Sequence, residues 1–487
     1  MHFFFFRASF FIFLFFAITL QSVLAQPSRV ASYLAKMDST LAFRQASWSF
    51  CLLSGQNCQL IQQFNSQKSL VPASVVKMFT TSAAIALLGD TFRFKTRLFV
   101  DGKISPEGIL NGDLIVKGGG DPVLGSLNGG GQMREPLVRE LVKEIRLAGI
   151  NKIKGKVLVD ISYFEDEPVP AHWIWYDLGN YYAPPIMALN IAENQYEVFF
   201  KPGFKAGDST KILYTQPVVP GLKLINHTTT AIGGGDQTFI PGPPHAMEKH
   251  IYGKMPVGDS FRIKGSIPRP ELFFLQLLKE ELKVQSIMFE ETGQYYAPSK
   301  PINTNSYTTL YTHYSPMLSD ICRYANYTSH NLAAECILRT LGAEIRKNGS
   351  TAAGLEIVNK FVQSRMLNAS GFKLVDGSGL SKYNLVNAAQ LASYLGNIIQ
   401  EPWFKKFYGT LPYSGKGGTL EKFCNGTMAE GRVVAKSGSM ERIKGYAGYL
   451  RDAQDKLNPF AVLVNNHDVP NREVVKWLEG LMEVCME

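Results

Sequence analysis

The chain has 487 residues, of which 45% are hydrophobic and 19% charged, and carries a formal charge of +9. That length exceeds what one hydrophobic core usually organises and implies two or three domains. Neither like-charge blocks nor low-complexity tracts occur, which argues against a disordered chain or a coiled coil. The basic excess suits an anionic polymer, but no basic run or aromatic RNA-binding motif accompanies it, and no nucleic-acid partner is expected.

Residues 1–25 contain one Arg, an apolar core from Phe10 to Leu20 and small residues leading to Ala25, which is the pattern of a secretory signal cut after Ala25. An uncleaved N-terminal anchor is the alternative. No later apolar run reaches the ~18 residues that a spanning helix needs, so at most peripheral membrane association is expected. Export would place Cys51, Cys58, Cys322, Cys336, Cys424 and Cys485 where disulfides persist. Cys51 and Cys58 would face each other across a tight hairpin centred on Ser54-Gly55; buried free thiols are the equal alternative.

In the mature chain, Ser28 to Leu41 reads as an amphipathic helix and Ser47 to Asn65 as two strands joined at Gly55. Pro72 to Gly89, with small and apolar residues inside and Gly at its end, predicts a buried helix beginning near Ser74. From Phe92 to Ser299 the texture changes to short alternating runs cut by Gly and Pro clusters, predicting mainly β material with one helix over Pro270 to Lys283. Longer elements then return. Helices are expected over Ser315 to Ala325 and Leu332 to Leu341, strands over Gly431 to Ala435, Gly445 to Leu450 and Pro459 to Val464, and a last helix over Arg472 to Glu487. Helices at both termini covering an antiparallel sheet make an α+β architecture.

Three short motifs carry candidate chemistry. Ser74 and Lys77 stand three residues apart on one helix face, where they can share a proton. A helix N-terminus favours negative charge on the serine oxygen, and burial would push the lysine toward the neutral form that accepts a proton. Ser329-His330-Asn331 lies between two helices and can present a hydroxyl and an amide to one cleft, although by itself it reads as a helix cap. Lys436-Ser437-Gly438-Ser439 ends a strand, where an ammonium, a hydroxyl and a glycine would let a peptide carboxylate and backbone approach; its bland reading is a solvated strand end.

The order Ser-x-x-Lys, Ser-x-Asn, Lys-Ser-Gly is the motif set of penicillin-binding proteins and serine β-lactamases. The chain resembles the D-alanyl-D-alanine carboxypeptidase/endopeptidase family of low-molecular-weight class C penicillin-binding proteins over nearly its whole mature length. Supporting stretches include Gly112 to Pro122, Asp177 to Tyr182, Asp376 to Ser381 and Gly418-Thr419-Leu420. The resemblance implies a β-lactamase/transpeptidase-like catalytic domain over 26–92 and 300–487, interrupted by inserted mainly-β domains over 93–190 with 268–299 and over 191–267. The long interval between Ser74 and Ser329 fits such an insertion. Two positions depart from the family pattern: Ser437 stands where Thr is usual and His330 where Asn is frequent.

The resemblance further implies an acyl-enzyme on Ser74, formed from the D-alanyl stem peptides of peptidoglycan, and acylation by β-lactam antibiotics. Lys77 would be the base, Ser329 with Lys436 the proton relay, and Asn331 the group that orients Lys77. Lys436 and Ser437 would hold the substrate carboxylate, and the amides of Ser74 and Ser439 the oxyanion. Asp177 would meet the amino end of a diamino-acid side chain. No cofactor or metal is expected, and the location implied is periplasmic. A β-lactamase and a non-hydrolytic penicillin-sensing or wall-binding protein are the rival readings; a Gly-x-Ser-x-Gly elbow for a Ser-His-Asp hydrolase does not occur.

Overall fold

The computed structural model describes residues 28–289, 295–296 and 307–486. The expected signal over 1–25 and the expected boundary at 299/300 both lie outside them. The described chain opens with α1 (Arg29–Ser39), capped by Ser28, whose Oγ accepts a hydrogen bond from the amide of Ala31 at 3.1 Å. The strands β1 (Ser47–Leu53) and β2 (Leu60–Phe64) follow as an antiparallel pair. Cys51 sits opposite Gln63, while Cys58 lies in the connecting loop beside Asn397. The loop is too long for the tight hairpin that would have set the two thiols face to face, and all six cysteines are free.

A 3-10 turn over Ala73–Val76 leads into α2 (Lys77–Leu88), which Gly89 ends at φ 86°. Nine of the twelve α2 residues are buried, as its small and apolar composition predicts.

The intervening region is built on β3 (Lys95–Ile104) and β4 (Ile109–Lys117), an antiparallel pair. Next comes α3 (Arg134–Leu147), a helix that the alternating-strand reading of this region left out. Leu137, Val138, Leu141, Val142 and Ile145 form its buried stripe at helical spacing, with charged residues on its outer face. The strand β5 (Val157–Asp160) runs parallel to β4. A smaller sheet then places β6 (Gln195–Lys201) between β7 (Lys211–Gln216) and β8 (Phe261–Ser266). After α4 (Pro270–Val284), the strand β9 (Thr308–Tyr314) pairs antiparallel with β3. Thr308–Tyr314, which lie within the expected C-terminal catalytic segment, therefore hydrogen-bond into the sheet of the intervening region.

The helices α5 (Leu318–Tyr327), α6 (Asn331–Leu341), α7 (Thr351–Gln363) and α8 (Ala388–Asn397) precede β10 (Val433–Met440), β11 (Ile443–Arg451), β12 (Leu457–Asn465) and the final helix α9 (Asn471–Val484). The main sheet has the order β10-β11-β12-β1-β2, so strands from the two ends of the chain meet at the β12–β1 ladder. Both faces are covered. Trp48, Phe50, Phe460 and Val462 point into a core with α1 and α9, whereas Cys51, Ala461 and Leu463 point into the core with α2, α6 and α8. This period-2 alternation makes a three-layer α+β body. Leu332 and Cys336 of α6 join the core of the inserted region, tying the insert to the helix that begins at Asn331.

Candidate active site

The turn that carries Ser74 is backbone-strained, since Ala73 adopts φ 49° immediately before it. Ser74 itself is half-buried, and one helical turn on, the side chain of Lys77 is fully buried. Lys77 Nζ lies 3.0 Å from Ser74 Oγ, 2.6 Å from Asn331 Oδ1 and 2.7 Å from the carbonyl oxygen of Ser378. Burial pulls its ammonium down to about 7, against the opposing pull of the Asp376 and Glu335 carboxylates.

Two residues of α6 support this arrangement. The Nδ2 of Asn331 donates to the carbonyl of Tyr182 at 2.8 Å, which leaves its Oδ1 facing Lys77. Glu335, one turn along, accepts the amides of Gly377 at 3.0 Å and Ser378 at 2.8 Å, so the Ser378 carbonyl is aimed at Lys77. Burial first, then the charge of Asp376, pushes the Glu335 carboxyl upward. Asp376 in turn accepts the amides of Gly379 and Ser381 and, at 3.0 Å, the indole N–H of Trp173. Gly379 has φ 79°, and a Cβ there would lie 2.0 Å from the Ala73 carbonyl oxygen, so this loop is pressed against the backbone of the Ser74 turn.

The Ser-x-Asn loop joins α5 to α6. Ser329 has φ 61° and lines the same cleft as Ser74. The triplet does cap α6, as its bland reading expected, but through its middle residue: His330 is the cap, and its Nδ1 accepts the Ala333 amide at 3.3 Å. On the edge strand β10, Lys436 is fully buried and donates to the carbonyl of Ser437 at 2.7 Å. Burial holds its ammonium well below the lysine range, and the charges of Lys77 and Lys444 add to that effect. Ser437 Oγ donates to Thr419 Oγ1 at 2.8 Å. Gly438 faces the Ser74 turn rather than open solvent.

Ser74, Asp177, Ser329, Asn331 and Ser439 line a single cleft of about 540 Å³; Lys77 lies directly behind Ser74, and Lys436, Ser437 and Gly438 immediately precede Ser439 on β10. The inserted region supplies the opposite wall through Tyr176, Asp177 and Tyr182. Asp177 accepts the Tyr182 hydroxyl at 3.1 Å, and burial pushes its carboxyl up against that hydrogen bond and the charge of Lys382, which also lines the cleft. Motif reading did not single out Glu335, Ser378, Lys382, Trp173 or Tyr182 individually. Asp376, Gly377, Ser378 and Gly379 fall within a stretch that carries the family resemblance, and nothing in a single sequence marks Glu335 apart from other helical glutamates.

Comparison with known proteins places this geometry in a family. The chain is 27% identical over 418 residues to the D-alanyl-D-alanine carboxypeptidase of Actinomadura sp. (strain R39), covering 83% of this chain and 74% of that protein. It is 26% identical over 426 residues to the D-alanyl-D-alanine carboxypeptidase DacB of Haemophilus influenzae, covering 85% and 84%. The crystal structure of penicillin binding protein 4 (dacB) from Haemophilus influenzae superposes with a TM-score of 0.81 at 24% identity, over 94% of this chain and 99% of that one. The family model of the D-Ala-D-Ala carboxypeptidase 3 (S13) family matches residues 29–480. By that match the chain belongs to the D-Ala-D-Ala carboxypeptidase 3 (S13) family and is a serine-type D-Ala-D-Ala carboxypeptidase, a hydrolase.

Proposed function

We propose that Ser74 is the nucleophile of this carboxypeptidase and Lys77 its base, acting on the D-alanyl stem peptides of peptidoglycan in the periplasm. The observation that carries the proposal is the set of three contacts at Lys77 Nζ. A neutral amine has two N–H bonds and one lone pair. Asn331 Oδ1 and the Ser378 carbonyl can only accept, so they take the two N–H bonds and the lone pair is left for the Ser74 hydroxyl. Lys77 receives that proton as Ser74 Oγ attacks the carbonyl carbon of the D-Ala-to-D-residue bond.

The amides of Ser74 and Ser439 face the developing oxyanion, each donor contributing on the order of 3 kcal/mol when well aimed. Lys436 and Ser437 hold the terminal carboxylate, and Ser329 with Lys436 passes the proton to the departing amine. Water then releases the acyl group from Ser74. Beyond Ala435, which is bonded to Pro412, no described strand covers the outer edge of β10, so a substrate backbone can add there as a further strand. At the far wall, Asp177 beside Lys382 offers one anion and one cation, which matches the ammonium and carboxylate ends of a diamino-acid side chain. A β-lactam antibiotic acylates Ser74 by occupying the same edge. We assign the catalytic domain to residues 28–92 together with 315–486, with the insert between them.

Digestion of purified muropeptides by the wild-type protein and by Ser74→Ala, with products identified by mass, tests the assignment. Loss of D-alanine release in the variant is expected; undiminished release would defeat it. Products from cross-linked dimers would add endopeptidase action.

A further inference from the structure

Glu193 belongs to the inserted region, far from every motif of the catalytic domain in sequence, yet it meets the Ser-x-Asn loop. It sits in the short link between the cleft wall and β6, where Ala192, Glu193 and Asn194 adopt φ of 51°, 57° and 54° in succession. Three consecutive non-glycine residues in the left-handed region persist only when their surroundings over-determine them. Here they do. Asn194 donates to the Pro185 carbonyl at 2.9 Å and accepts the Ile191 amide at 3.0 Å, and Ala192 is held by the Leu124 carbonyl at 2.9 Å.

The conformation delivers a buried carboxylate with four donors. Glu193 Oε1 accepts from Ser126 Oγ and Asn128 Nδ2, both at 2.5 Å, and Oε2 accepts from the Tyr324 hydroxyl at 2.8 Å. The fourth donor is His330 Nε2 at 3.2 Å from Oε2. Because His330 Nδ1 accepts the Ala333 amide, its proton resides on Nε2 and points at Glu193. The Tyr324 ring also packs on the imidazole, with centroids 4.8 Å apart. His330 is the residue between Ser329 and Asn331, and Ser329 is itself held at φ 61°.

We infer that Glu193 is a positioning residue of the catalytic centre: through His330 it fixes the loop that presents Ser329 and Asn331, making the inserted region part of the machinery for acyl transfer. The inference rests on the roles proposed above for Ser329 and Asn331. His330 is then more than a spacer between them. A residue that orients a reacting group through one intermediary typically changes rate ~10- to 100-fold when removed.

The test compares Glu193→Gln, Glu193→Ala, His330→Asn, the double variant Glu193→Ala/His330→Asn, and Ser329→Ala, using acylation by a fluorescent penicillin, kcat and KM for D-alanine release, and thermal unfolding. Asparagine at position 330 keeps a helix cap but is too short to reach the carboxylate as the imidazole does. Each Glu193 variant is expected to lose ~10- to 100-fold in acylation rate and in kcat with KM nearly unchanged. In the His330→Asn background, Glu193→Ala should cost at most about twofold more, because the link is already cut. Glu193→Gln, which preserves volume, keeps the test valid should the alanine variant not fold. Folded Glu193 variants acylated within about twofold of the wild-type rate, or an equal loss with and without His330, would overturn the inference. Unaltered turnover by Ser329→Ala would instead remove the proton relay and leave the Glu193 result to be judged on acylation alone.

Discussion

Gly438 passes so close to Pro72 that a Cβ built on it would stand 2.4 Å from the Pro72 carbonyl oxygen, with the Ala73 and Val75 side chains at 3.2 Å. The Lys-Ser-Gly strand is therefore seated directly on the turn that carries Ser74, and the glycine sets the width of the cleft. The first obstacle is backbone, which cannot rotate aside as a flexible side chain would. Gly438→Ala should push β10 away from the Ser74 turn. We expect a folded protein, destabilised by about 1–3 kcal/mol, whose acylation by penicillin falls ~100-fold because the Ser439 amide, proposed above as an oxyanion donor, moves away from the Ser74 turn. Stopped-flow acylation beside a denaturant titration checks both halves.

The pH dependence of acylation follows from Lys77. Its folded pKa is lowered from 10.5 to about 7, chiefly by burial. The base role proposed for Lys77 requires its neutral form, so the acylation rate should rise with pH, reach half its plateau near 7 and fall about tenfold per unit below that. The stability effect has a definite sign as well. Between 10.5 and about 7 the unfolded chain holds a proton on this lysine that the folded chain does not, so its contribution to stability declines as pH drops through that window and is flat below it. Burial of Lys436 and Lys444 acts in the same direction, and Lys77→Met isolates the Lys77 share. A rate profile with no inflection near 7, or a stability slope unchanged in Lys77→Met, contradicts the assignment.

Trp173 reaches out of the inserted region to donate its indole N–H to Asp376 Oδ2 at 3.0 Å. That carboxylate organises the loop whose Ser378 carbonyl meets Lys77, and it is fully buried. Trp173→Phe keeps most of the packing and removes the donor. Losing one hydrogen bond to a buried carboxylate should cost about 2 kcal/mol. Urea unfolding will show this, and D-alanine release should fall with kcat rather than KM.

How much of this was legible beforehand depended on sequence distance. Ser74 and Lys77 declare themselves because they stand three residues apart, and the helix that opens at Lys77, directly after the 3-10 turn bearing Ser74, is marked by Gly89 at its end. The unbroken apolar run Phe50-Cys51-Leu52-Leu53 likewise gives away a strand buried on both faces. The α3 helix was equally visible in the spacing of Leu137, Leu141 and Ile145 and was masked by its Gly-rich surroundings. Glu335, Ser378 and Glu193 were not legible, because their meaning is a contact with a residue elsewhere in the chain. Glu335 reads as one more polar position on an amphipathic helix until Gly377 and Ser378 are brought to it. The Cys51–Cys58 pairing failed for a local reason: the connecting loop runs from Ser54 to Gln59, and Cys58 turns toward Asn397.

Ser437 offers the last test, because its hydroxyl is already committed. It donates to Thr419 Oγ1 at 2.8 Å, so its oxygen lone pairs face outward with the hydrogen turned inward. To donate to a substrate carboxylate the hydroxyl must rotate, and Thr419 must then find another partner. A threonine at 437 would retain the hydroxyl, while its β-branch suits an edge strand and restricts χ1 to fewer wells. Ser437→Thr should therefore bind peptide substrate as well as the wild type or a few-fold better. Ser437→Ala removes one donor to a carboxylate, worth about 1.5–3 kcal/mol, and should raise KM by ~10- to 100-fold while leaving the acylation step at saturating substrate within a few-fold. Steady-state kinetics on a pentapeptide ending in D-Ala-D-Ala distinguishes these outcomes. A drop in kcat without a rise in KM would move Ser437 from binding the carboxylate to moving the proton.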